Sequence, residues 1–534
     1  MYIATVPNRN SKPAILLRES HREGKKVHTK TLANLTNYAP ERIEALKRAL
    51  KGDFDGIGVA SSTTPKIGKT YGTYFILKYL ADEIGVTKSL KDDVLGKLSL
   101  FLILTRIAHR GSRLSAVRFA EQHAVEDILG LETFDEDDLY KALDSLYLHQ
   151  EEIEQKLYKT YLKNKGGAPT LVLYDVTSSY FEGEQNELAA FGYNRDGKKG
   201  KKQIVIGLLA DTEGEPLAIR VFEGNTSDPS TVTTQINLLK KQFNIQEVIF
   251  VGDRGMVKTK AQEALNFESY AYITALTNAQ VRTLLKEKIL QYDFFDTPLH
   301  EVEAEGKRYI LMRNDAVCSK ENKRRDDKLK KLKILIQTRN DFVKESSRAS
   351  AEGGMKTLQA WLKKYRMNTY ITLSLNEKEI SYSQDLEAQI KHHMLDGCYV
   401  IVTDVKKETL TAKEVHQSYM QLQRVERDFR TIKTGFLEVR PIFVRKKERT
   451  KGHLLVSMLA LKIVRHFRKK LEEAGFPYTL QDALDALERY VFLDQEISGN
   501  ITTLLPQPDS IQAQVFNALG IKLPLKTARP PKKM

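Results

Sequence analysis

Residues 170–183 read TLVLYDVTSSYFEG, and the first seven of them, Thr170–Val176, decide the fold. They form a short, almost wholly apolar run that carries one carboxylate, Asp175, on the face shared by Leu171 and Leu173. Gly166, Gly167 and Pro169 bound the run upstream, which is how a strand buried on both faces reads. Further out, Gln203–Ala210 and Leu217–Glu223 flank the turn Asp211–Glu215 and predict a hairpin. Pro229 opens a helix to about Phe243, Glu247–Gly252 reads as a fourth strand, Lys258–Phe267 as a helix and Tyr270–Leu276 as a fifth strand.

That order, β-β-β-α-β-α-β, is the order of an RNase H-like core without its last helix. The expected class is therefore α/β: an RNase H-like catalytic core with a β-containing insertion, a small α+β N-terminal module and helical flanking regions. The expected division is 1–60 for the N-terminal module, 61–168 for a helical region and 169–280 for the first part of the core. Residues 281–410 then form an insertion, 411–475 the remainder of the core, and 476–534 a helical region with a basic tail. From residue 277 to 410 the pattern does not continue the core: it holds a charged helix, the basic stretch Lys320–Lys333 and short strands near Tyr370–Leu375 and Cys398–Val402. In the N-terminal module, strands around Tyr2–Val6, Ala14–Glu19 and Val27–Leu32 precede a helix that starts at Pro40.

A chain of 534 residues exceeds one ordinary core, so roughly two to four domains are expected. The 84 Lys and Arg outnumber 69 Asp and Glu, for a net charge of +15 that favours an anionic partner, most commonly nucleic acid. Cys318 and Cys398 form no CxxC pair and no disulfide framework, which fits a reducing cytoplasm. The start of the chain lacks the pattern of a signal peptide. The apolar runs Leu98–Ala108 and Leu454–Val464 fall short of the ~20 residues a membrane helix needs and read as buried helices, so no membrane partner is expected.

Three acids stand out by position. Asp175, inside an apolar strand, must be paired, hydrogen-bonded or bound to a cation. Asp253 directly follows the strand EVIFVG, where α/β sheets present ligand sites, although a turn or N-cap aspartate fits there equally. Glu426 lies in a helix over residues 419–433 whose apolar stripe is Val425, Phe429, Ile432 and Phe436. Tyr419, Glu426, Arg430 and Lys433 fall on the adjoining stripe, where a plain surface pair between Glu426 and Arg430 is the alternative. Two strands and a helix converging three carboxylates would supply ligands for two Mg²⁺ ions, the arrangement that serves phosphodiester cutting and joining.

The segment Tyr174–Gly183 resembles the first-aspartate segment of bacterial insertion-sequence DDE transposases. So do Gly192-Tyr193-Asn194-Arg195-Asp196-Gly197, Glu223-Gly224-Asn225-Thr226-Ser227-Asp228 and Val251-Gly252-Asp253-Arg254-Gly255. Tyr419, Glu426 and Lys433 match the Tyr, Glu and Lys of the Tyr-Arg-Glu-Lys signature branch; Leu422 stands in the arginine's place, for which Arg424 or Arg430 are candidates. Arg440-Pro441 and Gly452-His453 resemble the segment that follows. The likeness covers roughly residues 170–470 well and the N-terminal module more loosely. It implies catalytic, metal-binding Asp175, Asp253 and Glu426, with DNA contacts from Tyr419, Arg424, Arg430 and Lys433. It also implies Mg²⁺, replaceable by Mn²⁺, and double-stranded DNA (terminal inverted repeats and target) held by a homodimer. Such enzymes nick the element end, form a hairpin there, open it and join the ends to target DNA. An RNase H-like nuclease that never joins, or a non-catalytic DNA-binding descendant, are the competing classes. Within the insertion, Trp361 fits core packing or stacking on an extruded base. Gly68-Lys69-Thr70 lacks the first glycine of a phosphate loop, since position 63 is threonine.

Overall fold

A buried strand needs every backbone N–H and C=O paired by neighbours, so the apolar run at residue 171 can exist only inside a sheet. The computed structural model describes residues 1–534 except 10, 11, 53–65, 184, 194, 199, 255, 347–349, 441, 443, 498, 499, 523–531 and 534. Asn194, Gly255 and Pro441 of the motifs, Thr63 and nearly all of the basic tail thus lie outside the described residues. The chain divides into two compact units, Met1–Ile76 with Ala120–Ile128 and Lys470–Met534, and Leu77–Phe119 with Leu129–Lys469.

The first unit opens with an antiparallel sheet of β1 (Tyr2–Val6), β2 (Ala14–Glu23) and β3 (Lys26–Asn34), with β2 in the middle. The helix Pro40–Leu50 follows, its proline placed where the missing N–H costs no hydrogen bond. Gly68-Lys69-Thr70 lies in β4 (Lys66–Thr70), which pairs with the strand Val491–Ile497, itself paired with Asn500–Leu504. These strands fall in stretches expected to be helical. Val491–Ile497 is strand because it has partners on both sides, β4 and Asn500–Leu504, and β4 lies more than 400 residues away in sequence, where pairing leaves no local trace.

In the second unit, the runs Leu98–Ala108 and Leu454–Val464 are indeed buried, inside helices Val94–Ala108 and Lys447–Glu473. No helix among the described residues is long and apolar enough to cross a membrane. The strands are β5 (Leu171–Tyr180), β6 (Gln203–Asp211), β7 (Pro216–Glu223), β8 (Ile249–Gly252), β9 (Ala271–Ala275), β10 (His300–Ala304), β11 (Lys307–Arg313), β12 (Ile371–Asn376), β13 (Glu379–Gln384) and β14 (Cys398–Thr403). Eight of them make one mixed sheet in the order β10-β11-β14-β9-β8-β5-β6-β7. β5 pairs in parallel with β8 and antiparallel with β6, and β8 pairs in parallel with β9. β6 is buried throughout, and its Gly207 has a packing reason: a Cβ there would stand 2.3 Å from the Tyr174 hydroxyl oxygen.

The expectation that residues 277–410 leave the core is corrected by β10, β11 and β14, which extend the same sheet beyond β9. The reason is legible in β14, CYVIVT, whose four last residues are all buried and which needs partners on both sides. Between β11 and β14 a smaller layer does have its own core: helices Asp315–Glu345 and Ala351–Lys364 pack with the β12–β13 hairpin around Leu332, Ile336, Leu358, Leu362, Tyr370 and Ile380. Asn340, buried in the first helix, donates to the Ile380 carbonyl (2.8 Å) and accepts from the Ile380 N–H (2.9 Å), which ties helix to hairpin. Trp361, partly buried, packs on this cluster with its ring 4.7 Å from Tyr365, which supports the core-packing reading.

Candidate active site

Alternation along β5 puts Asp175 on the face of Leu171, Leu173 and Thr177. Its carboxylate Oδ1 accepts the N–H of Val176 at 2.7 Å. Burial pushes the Asp175 carboxyl up to about 7; the charges of Asp253 and Glu426 add to the rise, while the Val176 N–H and Arg195 oppose it. Asp253 follows β8, and the register Tyr174↔Gly252 sets the two aspartates one residue past a paired position on adjacent parallel strands. Asp253 Oδ1 accepts from the Arg254 N–H (2.6 Å) and the Tyr419 hydroxyl (3.3 Å), while Thr274 Oγ1 donates to its carbonyl at 3.2 Å.

Glu426 comes from the helix Leu422–Arg430, which packs on β5 through buried Val425 and Phe429, followed by buried Ile432. Phe436, the last member of the expected stripe, is half-buried. A second grip was not foreseen: Asp428, also buried, pairs with Arg465 Nη1 at 2.8 Å and fixes the rotation of the helix. Burial and the charge of Asp253 push the Glu426 carboxyl up, and Arg430 opposes them. Each of the three acids therefore feels at least one of the others.

The expected single helix over 419–433 is three pieces: Ala412–Met420, Leu422–Arg430 and a π-helical turn at Thr431–Gly435. Tyr419 reaches Asp253, whereas Lys433 reaches back to β5, where its Nζ donates to Thr177 Oγ1 (3.2 Å) and Asp196 Oδ1 (2.7 Å). The extra backbone width of a π turn re-aims Lys433, which an ideal helical wheel does not anticipate. Arg430 lies within electrostatic reach of Glu426. Arg424 is turned elsewhere, with Nη1 donating to the Thr212 carbonyl in the β6–β7 turn. Leu422 is buried and lines a cavity of about 620 Å³ with Asp253, Tyr419, Glu426, Arg254 and Arg282.

Three carboxylates from the middle of β5, the end of β8 and one helix are a hard oxygen donor set, and their mutual repulsion is what a divalent cation would relieve. The donor set thus fits Mg²⁺ in kind. Among the described residues no three His, Cys, Asp or Glu side chains stand close enough together to hold a metal ion as they are.

The order aspartate, aspartate, glutamate along the chain lies within residues 166–463, which match the family model of the transposase DDE domain. The chain belongs to the DDE transposase family. Residues 3–58, the β1–β3 sheet and its helix, match the N-terminal domain of the IS1634 family transposases, an insertion-sequence family. Among solved structures this DDE transposase is similar to piggyBac transposase in a synaptic complex with hairpin DNA, at 9% identity and a TM-score of 0.34, covering 80% of this chain and 82% of that one. It is also similar to the Mos1 transposase in a paired-end complex with the left transposon end, at 15% identity and a TM-score of 0.15, covering 44% of this chain and 68% of that one. No curated protein matches.

Proposed function

We propose that this transposase nicks transposon ends and joins them to target DNA by metal-dependent phosphoryl transfer, on an RNase H-like core whose catalytic, metal-holding residues are Asp175, Asp253 and Glu426. One observation carries the reading: β5, the end of β8 and the helix on β5 bring these three acids into mutual electrostatic contact, with the Asp175 carboxyl pushed up to about 7. An unoccupied cluster of that kind destabilises a fold, and the cost is understandable where a cation completes it. Two Mg²⁺ ions, or Mn²⁺ in their place, would activate the attacking oxygen and stabilise the leaving one.

The chain's own residues do the holding. Lys433 presents its ammonium on the Asp175 face of the sheet and Tyr419 a hydroxyl beside Asp253, so a phosphate between them meets one charge and one donor. Arg430 keeps positive charge next to Glu426. The freed 3′-hydroxyl attacks a phosphodiester of the opposite strand, and as the new P–O bond forms the bond to the flanking DNA's 3′-oxygen breaks, giving a hairpin at the element end that water opens before joining. Residues 1–60 would grip the terminal inverted repeat, residues 169–280 and 411–475 form the core, and the layer within 281–410 covers the distorted end of one DNA partner in a homodimer. The test is strand transfer: radiolabelled end DNA incubated with target plasmid and Mg²⁺ is expected to yield joined products, whereas cut ends alone would leave a nuclease.

A further inference from the structure

Asp196 belongs to the segment between β5 and β6, and the sequence marked it only as part of a motif. The structure makes it the centre of a charged knot. Its Oδ1 accepts from Lys433 Nζ at 2.7 Å, and its Oδ2 accepts from Arg440 Nη1 at 3.2 Å and the Tyr180 N–H at 3.4 Å. All three charged side chains are largely buried, with exposures of 15% for Asp196, 11% for Lys433 and 12% for Arg440. The segment is fastened to β5 next door, where the Arg195 N–H donates to Ser178 Oγ at 3.0 Å and the Arg195 guanidinium pairs with Asp228. Arg440 is also laid on the Tyr180 ring, 4.4 Å from its centre. Among the described residues one carboxylate thus faces two largely buried cations, an excess of one positive charge, and Thr177, the second acceptor of Lys433, points from the same face of β5 as Asp175.

We propose that Asp196 is a positioning residue for strand cleavage: together with Thr177 it aims the Lys433 ammonium along the Asp175 face, so that the excess positive charge meets the scissile phosphate. The proposal rests on the catalytic reading of Asp175, Asp253 and Glu426 given above. A free lysine head has many rotamers, and two fixed acceptors leave it few, so ordering is complete before DNA arrives. Desolvation, with the charges of Arg440 and Arg195, lowers the proton affinity of Lys433, and Asp196 opposes the fall by hydrogen bond and charge without cancelling it.

Single-turnover nicking of pre-bound end DNA, with DNA affinity measured alongside, is compared for wild type, Asp196→Asn, Lys433→Ala and the double variant. Asp196→Asn is expected to slow nicking on the order of 10-fold or more with affinity unchanged, the scale of mis-aiming one catalytic contact. In the Lys433→Ala background the same change is expected to cost nothing further, because no ammonium remains to be aimed. Wild-type nicking by Asp196→Asn, a loss in affinity alone, or full additivity with Lys433→Ala would overturn the proposal. If Asp196→Asn does not fold, Thr177→Val takes its place: a rate loss that vanishes in the Lys433→Ala background supports the proposal, and a wild-type rate overturns it. Glu426→Gln, run in parallel, separates the two failures. If it nicks like wild type, the catalytic reading falls and this proposal with it; if it is inert while Asp196→Asn is normal, only the positioning role falls.

Discussion

Replacing Asp175 with asparagine is expected to end nicking and, in the absence of metal, to make the protein more stable. The carboxyl moves from an ordinary 3.8 to about 7 because burial and the neighbouring Asp253 and Glu426 disfavour its charge. The folded value lies above the unfolded one, so the favourable, protonated form is fully present below about pH 4 and its contribution is lost as pH rises through about 7. The gap from 3.8 to about 7, at about 1.4 kcal/mol per tenfold in proton affinity, comes to about 4 kcal/mol at about pH 8. That figure is a ceiling, because Glu426, whose carboxyl is also pushed up, is coupled to Asp175. Asparagine keeps the shape and drops the charge. Equilibrium denaturation in EDTA should therefore show Asp175→Asn gaining up to about 4 kcal/mol at about pH 8, about 2 at about pH 5, and almost nothing below about pH 4. Added Mg²⁺ should stabilise the wild type more than the variant. A variant no more stable than wild type at about pH 8, or a gain that does not shrink in acid, would refute the electrostatic account of the site.

Three further outcomes are expected. Glu154 is fully buried and accepts from both Nη atoms of Arg220 at 2.7 and 2.9 Å, so Glu154→Ala should cost up to about 3 kcal/mol by leaving the half-buried guanidinium without its carboxylate, read by chemical denaturation. Gly207→Ala drives a methyl to within 2.3 Å of the Tyr174 hydroxyl and should cost about 1–3 kcal/mol, whereas a neutral result would mean that β6 shifts freely. Neutralising the exposed Arg22, Lys25, Lys26 and Lys30 of the β2–β3 hairpin should weaken binding to end DNA and flatten its salt dependence by up to about one unit of slope for each phosphate no longer neutralised. Unchanged affinity at both low and high salt would remove the hairpin from the interface.

The elements around Asp175 were legible because a double-sided burial leaves an unbroken apolar run, and because strand, turn and helix signals from 170 to 276 alternate cleanly. The continuation of the sheet was not, since 122 residues, a separate small layer among them, lie between Ala275 at the end of β9 and Cys398 at the start of β14, and pairing at that distance leaves no local trace. Position on a helical wheel placed Glu426 beside the sheet but missed the break after Met420 and the π turn that sends Lys433 to Thr177. Asp196 carries no legible role in the sequence, because its partners Lys433 and Arg440 are more than 230 residues away and meet it only in the fold.

The central claim is that Asp175, Asp253 and Glu426 carry metal-dependent chemistry on DNA. It is tested most directly by single-turnover nicking of end-bound complexes of Asp175→Asn, Asp253→Asn and Glu426→Gln in Mg²⁺. The account predicts that each variant binds the transposon end as tightly as wild type and that none nicks it. Mg²⁺-dependent nicking by any one of the three at a rate near wild type would contradict the assignment of that residue.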